Sequence, residues 1–210
     1  YLHQHGYLNK TALSVQRVFQ RAAQEELHNG VLSKDTLWDA VDNELELVLL
    51  HSRNPLTHSL ISSLHDRTFH RSVYVIKPKG YGYVERTSGK EIVVDEWPRR
   101  MLRKAAAIFG DCEAVRQLED ELAEALGQAP GTILFAAMPY FDKLIPRDVR
   151  MFSAGGAHDY WLFENDREHR RSLQGDYLRT FAIRVITPPA QRQDVARKAD
   201  RIAEFLEARI

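Results

Sequence analysis

The segment ISSLHDRTFHRSVYV at residues 61–75 contains side chains that suit two kinds of chemistry. His65 and Asp66 place an imidazole beside a carboxylate, and both groups are ligands for divalent metal ions. Arg67 and Arg71 lie four residues apart, just before a β-like run. On one face of a helix end, their guanidinium groups could bind a triphosphate through charge-assisted hydrogen bonds. The segment therefore predicts either a metal site or a phosphate site.

The metal site is the less favoured interpretation of this segment. A water-activating centre of the His…His-Asp…Asp kind needs a histidine, a His-Asp pair and a further aspartate from three helices. None of the nine histidines lies in a recognisable ligand motif such as HExxH. A second pair, His158 and Asp159, lies in a glycine-rich stretch, so adjacent His-Asp pairs carry little information here. We therefore interpret the pair at 65–66 as a coincidence of residue types and assign no catalytic or metal-ligating residue.

The arginine pair is the better candidate for function. Arg67 and Arg71 are followed closely by Lys77 and Lys79, which adds positive charge to the same stretch. A phosphate site is one explanation for this pattern. A solvated basic face, or a salt bridge to Asp66 or to a distant carboxylate, is the other. The spacing alone leaves both explanations open.

Composition limits the class of protein. The chain has 210 residues, 44% of them hydrophobic and 28% charged, which is ordinary for a globular protein with a sizeable core. Lys+Arg equals Asp+Glu at 29 each, so the net charge gives no support to a nucleic-acid binder or a polybasic membrane binder. No apolar run approaches the ~20 residues that span a bilayer.

Cysteine content and targeting patterns bear on where the protein is located, and the first residue bears on whether the chain is part of a longer protein. The single cysteine, Cys112, cannot form an intrachain disulfide, which fits a reducing cytosol. There is no pattern of a secretory signal peptide. We therefore expect a cytoplasmic protein that does not enter a membrane. Because the chain opens at Tyr1 rather than at methionine, we also expect it to be a piece of a longer protein.

Apolar periodicity predicts that the first part of the chain is helical. Residues recurring at three and four indicate an amphipathic helix over 8–27 that stops near Gly30. Ser33 and Asp42 are candidate N-caps of two following helices, and a fourth helix is expected to run to about Arg67. We therefore expect residues 1–71 to form a helical unit.

The pattern changes at Ser72, where β-branched and aromatic residues predict short strands. Asp95 is expected to cap a helix with Pro98 in its first turn. The remaining predictions are a helix over 111–126, a buried strand over 131–137, a loop over 138–157, a short strand over 159–164, a strand over 178–187 and a closing helix. Residues 72–210 are therefore predicted to form a smaller mixed domain, which gives the chain an α+β fold.

The order of these segments resembles a known family. YLHQHGYLNKTALSVQRVFQRA resembles the segment directly after the catalytic core of HD-domain phosphohydrolases of the deoxynucleoside-triphosphate triphosphohydrolase type. LSKDTLWDAVDNELELVLLHS is similar to the family's acidic helix, and LHDRTFHRSVYV to its basic element before the C-terminal domain. DCEAVRQLEDELAEALG with GTILFAA, and FAIRVITPPAQRQDVARKADRIAEFL, resemble elements of that domain. The resemblance covers nearly the whole chain, in order.

The resemblance implies roles for four residues. The chain would be the C-terminal portion of such an enzyme, with HD-domain-like helices in residues 1–71. Tyr1 matches a tyrosine that lines the substrate sugar pocket, and His3 matches a histidine near a nucleotide site at the subunit interface. Arg67 and Arg71 match basic residues that contact the phosphates of that nucleotide. In nucleotide-activated members a lysine stands where this chain has Gln4.

The resemblance also implies a cofactor and partners. A divalent metal (Mg, Mn, Fe or Zn) would be bound in the parent enzyme by an upstream catalytic segment, and not by this chain. The substrate would be a nucleotide or another phosphoester, and the enzyme would be a homo-oligomer. The alternative is a non-catalytic module that senses nucleotides through the two arginines, or one that assembles through the apolar helices around residues 45–64.

Overall fold

The computed structural model describes residues 9–86, 92–138, 141, 148, 150–152 and 159–210. Four helices come first in the described chain and a mixture of strands and helices follows, so the predicted α+β class is confirmed. The helices are α1 (Lys10–His28), α2 (Lys34–Asp39), α3 (Asp42–Leu50), α4 (Pro55–His65), α5 (Tyr83–Arg86), α6 (Arg99–Phe109), α7 (Cys112–Ala125), α8 (Leu162–Asn165), α9 (Arg167–Thr180), α10 (Arg192–Ala196) and α11 (Ala199–Arg209). The strands are β1 (Arg71–Pro78), β2 (Val93–Trp97), β3 (Leu134–Ala137), β4 (Arg150–Phe152), β5 (Asp159–Trp161) and β6 (Ile183–Thr187).

Four strands form the central sheet in the order β2-β1-β6-β3. β1 runs parallel to β2 and antiparallel to β6, and β6 runs antiparallel to β3. The β1–β6 register pairs Arg71 with Thr187 and Val75 with Arg184, with an irregularity between Ser72 and Tyr74. This register places the first residue of β1 beside the last residue of β6. β4 and β5 form a separate antiparallel pair.

Helices cover both faces of this sheet. Side chains alternate along β3, so that Phe135 joins the cluster with α6, α7 and α11, whereas Leu134 and Ala136 join the cluster with α1, α3 and α4. The predicted boundary near Ser72 coincides with the start of β1, and the helices before it share a hydrophobic cluster with the strands after it. In the described part of the chain, none of the helices has the length and apolar character needed to cross a bilayer.

A buried ionic network attaches α1 to α7 and to the sheet. Arg17 donates to both carboxylate oxygens of Glu119, from Nε at 2.7 Å and from Nη2 at 2.6 Å. Arg21 Nη1 lies 3.3 Å from Glu119 Oε2, and the backbone N–H of Phe135 donates to Glu119 Oε1 at 2.8 Å. Because this carboxylate of α7 has partners on both α1 and β3, it fixes the position of α1 and therefore of Lys10 at its N-terminus.

Several predicted boundaries are confirmed. The first long helix spans Lys10–His28, and Gly30 beyond its end has a positive φ of 71°. Ser33 caps α2 by accepting a hydrogen bond from the Thr36 N–H at 3.0 Å. The 111–126 helix is α7, which begins at Cys112.

Other predictions are wrong. Asp95 lies within β2, where its Oδ2 accepts hydrogen bonds from Tyr74 at 3.0 Å and Trp97 at 2.9 Å, so it does not cap a helix. Asp42 is the first residue of α3 rather than its N-cap. The 138–157 loop contains β4, and the predicted 178–187 strand begins only at Ile183 because residues 178–180 belong to α9.

Candidate functional site

A polar cleft of about 230 Å³ opens where the N-terminus of α1 meets the start of β1. We call it the cationic cleft because four of its lining residues are Lys or Arg and one is acidic. Its walls come from α1, β1, α5, β6 and α10. The lining residues are Lys10, Thr11, Ser14, Phe69, His70, Arg71, Ser72, Glu85, Ile92, Arg184 and Arg192.

Among the described residues that line this cleft, the one acidic side chain, Glu85, is already neutralised. Arg184 donates to it from Nη2 at 2.5 Å and from Nη1 at 3.1 Å, and both side chains are largely buried. Burial alone would raise the pKa of Glu85, but the hydrogen bond and charge of Arg184 outweigh it and hold the pKa below its ordinary value. Lys10 and Arg71 are exposed, and neither lies within ion-pair distance of a carboxylate among the described residues. The cleft therefore has cations available for an anion.

His70 lies between the cationic cleft and a second cavity. Its side chain is 5% exposed, and neither ring nitrogen has a hydrogen-bond partner in the described part of the chain. Burial lowers its pKa from 6.5 to about 4, because a low-dielectric surrounding disfavours the charged imidazolium. At neutral pH the ring is uncharged, with one N–H donor and one acceptor nitrogen.

Acidification is expected to reduce stability through His70. The folded pKa of about 4 lies below the ordinary 6.5, so between these values the unfolded chain binds a proton that the folded chain does not. The contribution is complete above pH 6.5 and is lost as the pH falls to 4, up to roughly 3 kcal/mol. Denaturant unfolding at both pH values checks this. His70→Phe should flatten the profile and His65→Phe should not; an unchanged profile in His70→Phe would contradict the assignment.

The expected helical face shared by Arg67 and Arg71 does not exist. α4 ends at His65, and Arg71 is the first residue of β1. Both arginines are exposed and neither pairs with a carboxylate among the described residues. Arg71 lines the cationic cleft, whereas Arg67 is not among its lining residues. The structure therefore brings only one of the two predicted arginines into this cleft.

Arg67 is the residue that terminates α4. Its φ of 56° lies in the left-handed region, its N–H donates to Leu64 O at 3.2 Å, and the N–H of Thr68 donates to Ser63 O at 2.9 Å. This is the Schellman pattern, in which glycine is the usual residue because a side chain is strained at positive φ. The backbone of Arg67 thus turns the chain away from the helix.

The strain in the Arg67 backbone can be tested by substituting glycine and measuring stability. Arg67→Gly is expected to stabilise the chain by about 1 kcal/mol, because glycine adopts the left-handed conformation without a Cβ clash. Thermal unfolding measures the change. Arg53→Gly, at another exposed arginine outside the left-handed region, is the control and should not stabilise. A lower melting temperature for Arg67→Gly would contradict the assignment.

The other predicted residues have different positions. Tyr1 and His3 lie outside the described residues. His65 is the exposed last residue of α4, and Asp66 is its C-cap. Within the described ranges, no cluster of three His, Cys, Asp or Glu side chains could hold a metal ion. Lys77 cannot reach a ligand, because it is 0% exposed and its Nζ donates to a backbone carbonyl oxygen at 2.5 Å.

Sequence reasoning missed most of the cleft. Lys10, His70 and Arg192 come from separate elements, and their spacing in sequence carries no sign that they meet. One signal was available in Arg184, an arginine within the apolar strand FAIRVIT, because a charge in a buried strand needs a partner. The partner, Glu85, becomes visible only in the folded chain.

Comparisons of the chain with protein-family models, with curated proteins and with solved structures found no match.

Proposed function

We propose that the cationic cleft binds the phosphates of a nucleotide, and that the chain is the C-terminal part of an HD-type metal-dependent phosphohydrolase acting on nucleotides. The observation that carries the phosphate proposal is that Lys10 and Arg71, which form no ion pair with another described residue, lie beside a carboxylate that Arg184 already occupies. A guanidinium and an ammonium around one cavity are the donors that phosphate oxygens prefer.

Further features of the cleft favour an anion. Lys10 and Thr11 belong to the first turn of α1, whose N-terminus carries a partial positive charge. Hydroxyl groups of Thr11 and Ser72 line the same space and can donate hydrogen bonds. Because Glu85 is paired, it repels an incoming phosphate less than a free carboxylate would. Together these features supply both charge and directional donors.

The resemblance to HD-domain phosphohydrolases supports the proposal that the chain is part of an enzyme acting on nucleotides. This chain would supply one wall of the nucleotide pocket and the interface of a cytoplasmic homo-oligomer, with Tyr1 near the substrate sugar and His3 and Arg67 near nucleotide. An upstream catalytic segment would bind a divalent metal that activates water for attack on phosphorus. The proposal places the catalytic residues and the metal ligands in that upstream segment and none in this chain.

Calorimetric titration tests the phosphate proposal. A deoxynucleoside triphosphate and inorganic tripolyphosphate should both release heat, and the affinity should fall as ionic strength rises because the contact is between partly exposed charges. The corresponding nucleoside monophosphate should bind more weakly because it offers fewer oxygens. No heat from either triphosphate at millimolar concentration would contradict the proposal. A hydrolysis assay on the chain joined to its upstream segment tests the catalytic part.

A non-catalytic assembly module is the second candidate, favoured by apolar side chains on α2 and α3. Trp38 is 90% exposed and Leu47 is 55% exposed. Exposed residues of this size are costly in water and often mark protein contacts. If they mediate self-association, Trp38→Ser combined with Leu47→Ser should weaken it at least about tenfold in sedimentation experiments, a loss of about 1.4 kcal/mol. Phe152→Ser, at an exposed residue of β4, is the matched control.

A further inference from the structure

A second cavity, of about 650 Å³, also borders His70. It lies between α4 and the turn that follows β6, and we call it the hydroxyl groove because serine and threonine side chains line it. Those hydroxyl residues are Ser59, Ser62, Ser63, Thr68 and Thr132.

The hydroxyl groove has an acidic lining residue, whereas the cationic cleft is lined mainly by basic ones. Among the described residues that line it there is no Lys or Arg, and Asp66 contributes a carboxylate. A phosphate would therefore find no cation there and one repelling charge. The groove is suited to a neutral ligand that forms hydrogen bonds.

Two side chains that border this groove carry buried polar atoms without a hydrogen-bond partner in the described part of the chain. They are His70, through both ring nitrogens, and Gln191, through Oε1. Buried polar atoms without partners are rare, because each one costs the free energy of removing it from water. A bound molecule with hydrogen-bond donors would satisfy Gln191 Oε1, Asp66 and one nitrogen of His70.

The neutral ring of His70 connects the two cavities. An uncharged imidazole has one N–H and one lone pair, and an anion in the cationic cleft can accept only from the N–H. When that hydrogen bond forms, the remaining nitrogen is an acceptor. A ligand in the hydroxyl groove must then donate to it.

We propose that the hydroxyl groove is a second ligand site, for a neutral compound carrying hydroxyl or amino donors, and that His70 couples it to the anion in the cationic cleft. The coupling rests on the proposed function of the cleft, whereas the groove site does not. Binding of the anion fixes the tautomer of His70 and so prepares the groove for a donor. By linkage, the groove ligand strengthens anion binding by the same factor.

Calorimetry with two neutral probes, adenosine and glucose, tests this proposal on the 210-residue chain. Either a nucleoside or a free sugar could supply the donors, and the two probes distinguish these sources. At least one should bind, and saturating tripolyphosphate should raise its affinity about fivefold. Ser62→Trp should fill the groove and abolish probe binding while leaving tripolyphosphate affinity unchanged. His70→Phe should remove the coupling, and His65→Phe, outside both cavities, should preserve it.

The outcomes separate the two proposals. If tripolyphosphate binds but neither probe binds at millimolar concentration, the groove holds only water and this inference is wrong, while the phosphate proposal stands. If a probe binds with the same affinity with and without tripolyphosphate, coupling through His70 is wrong. If a probe binds and tripolyphosphate does not, the phosphate proposal fails and the groove site remains. Probe binding that Ser62→Trp leaves intact places the probe outside the groove and overturns the site.

Discussion

Replacing Glu119 by glutamine is expected to lower the free energy of unfolding by about 3–5 kcal/mol. The carboxylate is 0% exposed and accepts hydrogen bonds from Arg17, Arg21 and the Phe135 N–H. Glutamine keeps the volume but removes the charge, so it leaves the buried Arg17 guanidinium without a counterion and places an amide N–H₂ against donors. Denaturant unfolding of both proteins measures the difference.

The matched control for this substitution is Glu121→Gln on the same helix. Glu121 forms a surface ion pair with Arg209 at 2.7 Å, in which both side chains are about half exposed. Such pairs contribute roughly 0–1 kcal/mol because water screens them and the side chains lose rotamer freedom. A loss for Glu119→Gln no larger than that of the control would mean that the network does not hold α1 in place.

Reversing the charge of Arg71 is expected to have the largest effect on binding. Arg71→Glu should weaken tripolyphosphate affinity about 100-fold, or about 2.7 kcal/mol, because a charge-assisted hydrogen bond is lost and a repulsive charge is gained. Arg71→Lys should retain part of the affinity, since it keeps the charge but loses the bidentate geometry. Because Arg71 is exposed, the melting temperature should change little.

Arg100→Glu is the control for the charge reversal. Arg100 is an exposed arginine of α6 and does not line the cationic cleft, so its reversal changes the net charge equally without touching the proposed site. Comparable losses for Arg71→Glu and Arg100→Glu would mean that tripolyphosphate responds to overall charge. A loss confined to Arg67→Glu would move the phosphate site from the cleft to the end of α4.

The sequence predicts elements well where one local rule decides the structure. Ser33 caps the start of α2 and Gly30 follows the end of α1, and both effects involve only a few neighbouring residues. The end of α1 and the start of α2 can therefore be inferred without tertiary information. Asp95 looked like a helix cap for the same reason. The hydrogen bond that it accepts from Tyr74 depends on the pairing of β1 with β2, which no local pattern reveals.

Helices and strands that bury few side chains show no apolar periodicity in the sequence. α9 has the polar sequence REHRRSLQGDYLRT and buries only Tyr177 and Leu178, so no apolar stripe marks it. All residues of β4 are exposed, which removes the alternation that predicts strands, and this strand could not be placed from its own residues. The segment DYWLFE over 159–164 does predict a short strand, and Asp159–Trp161 within it form β5.

The candidate site was only partly predictable. The basic character near residue 71 is visible in the sequence, and Arg71 does line the cleft. The sequence did not show that Arg67 lies outside the cleft. α4 ends in a left-handed turn at Arg67, and a glycine at this position would have indicated the end of the helix. Lys10 and Arg192 join the site only through the packing of α1 and α10 around the sheet.

A crystal structure of the chain with bound tripolyphosphate tests the phosphate proposal most directly. We expect phosphate oxygens at about 3 Å from the Arg71 guanidinium and from the Lys10 ammonium, with the Arg184–Glu85 pair intact. Tripolyphosphate bound at another surface, or a cleft that stays free of phosphate at a saturating concentration, would contradict it.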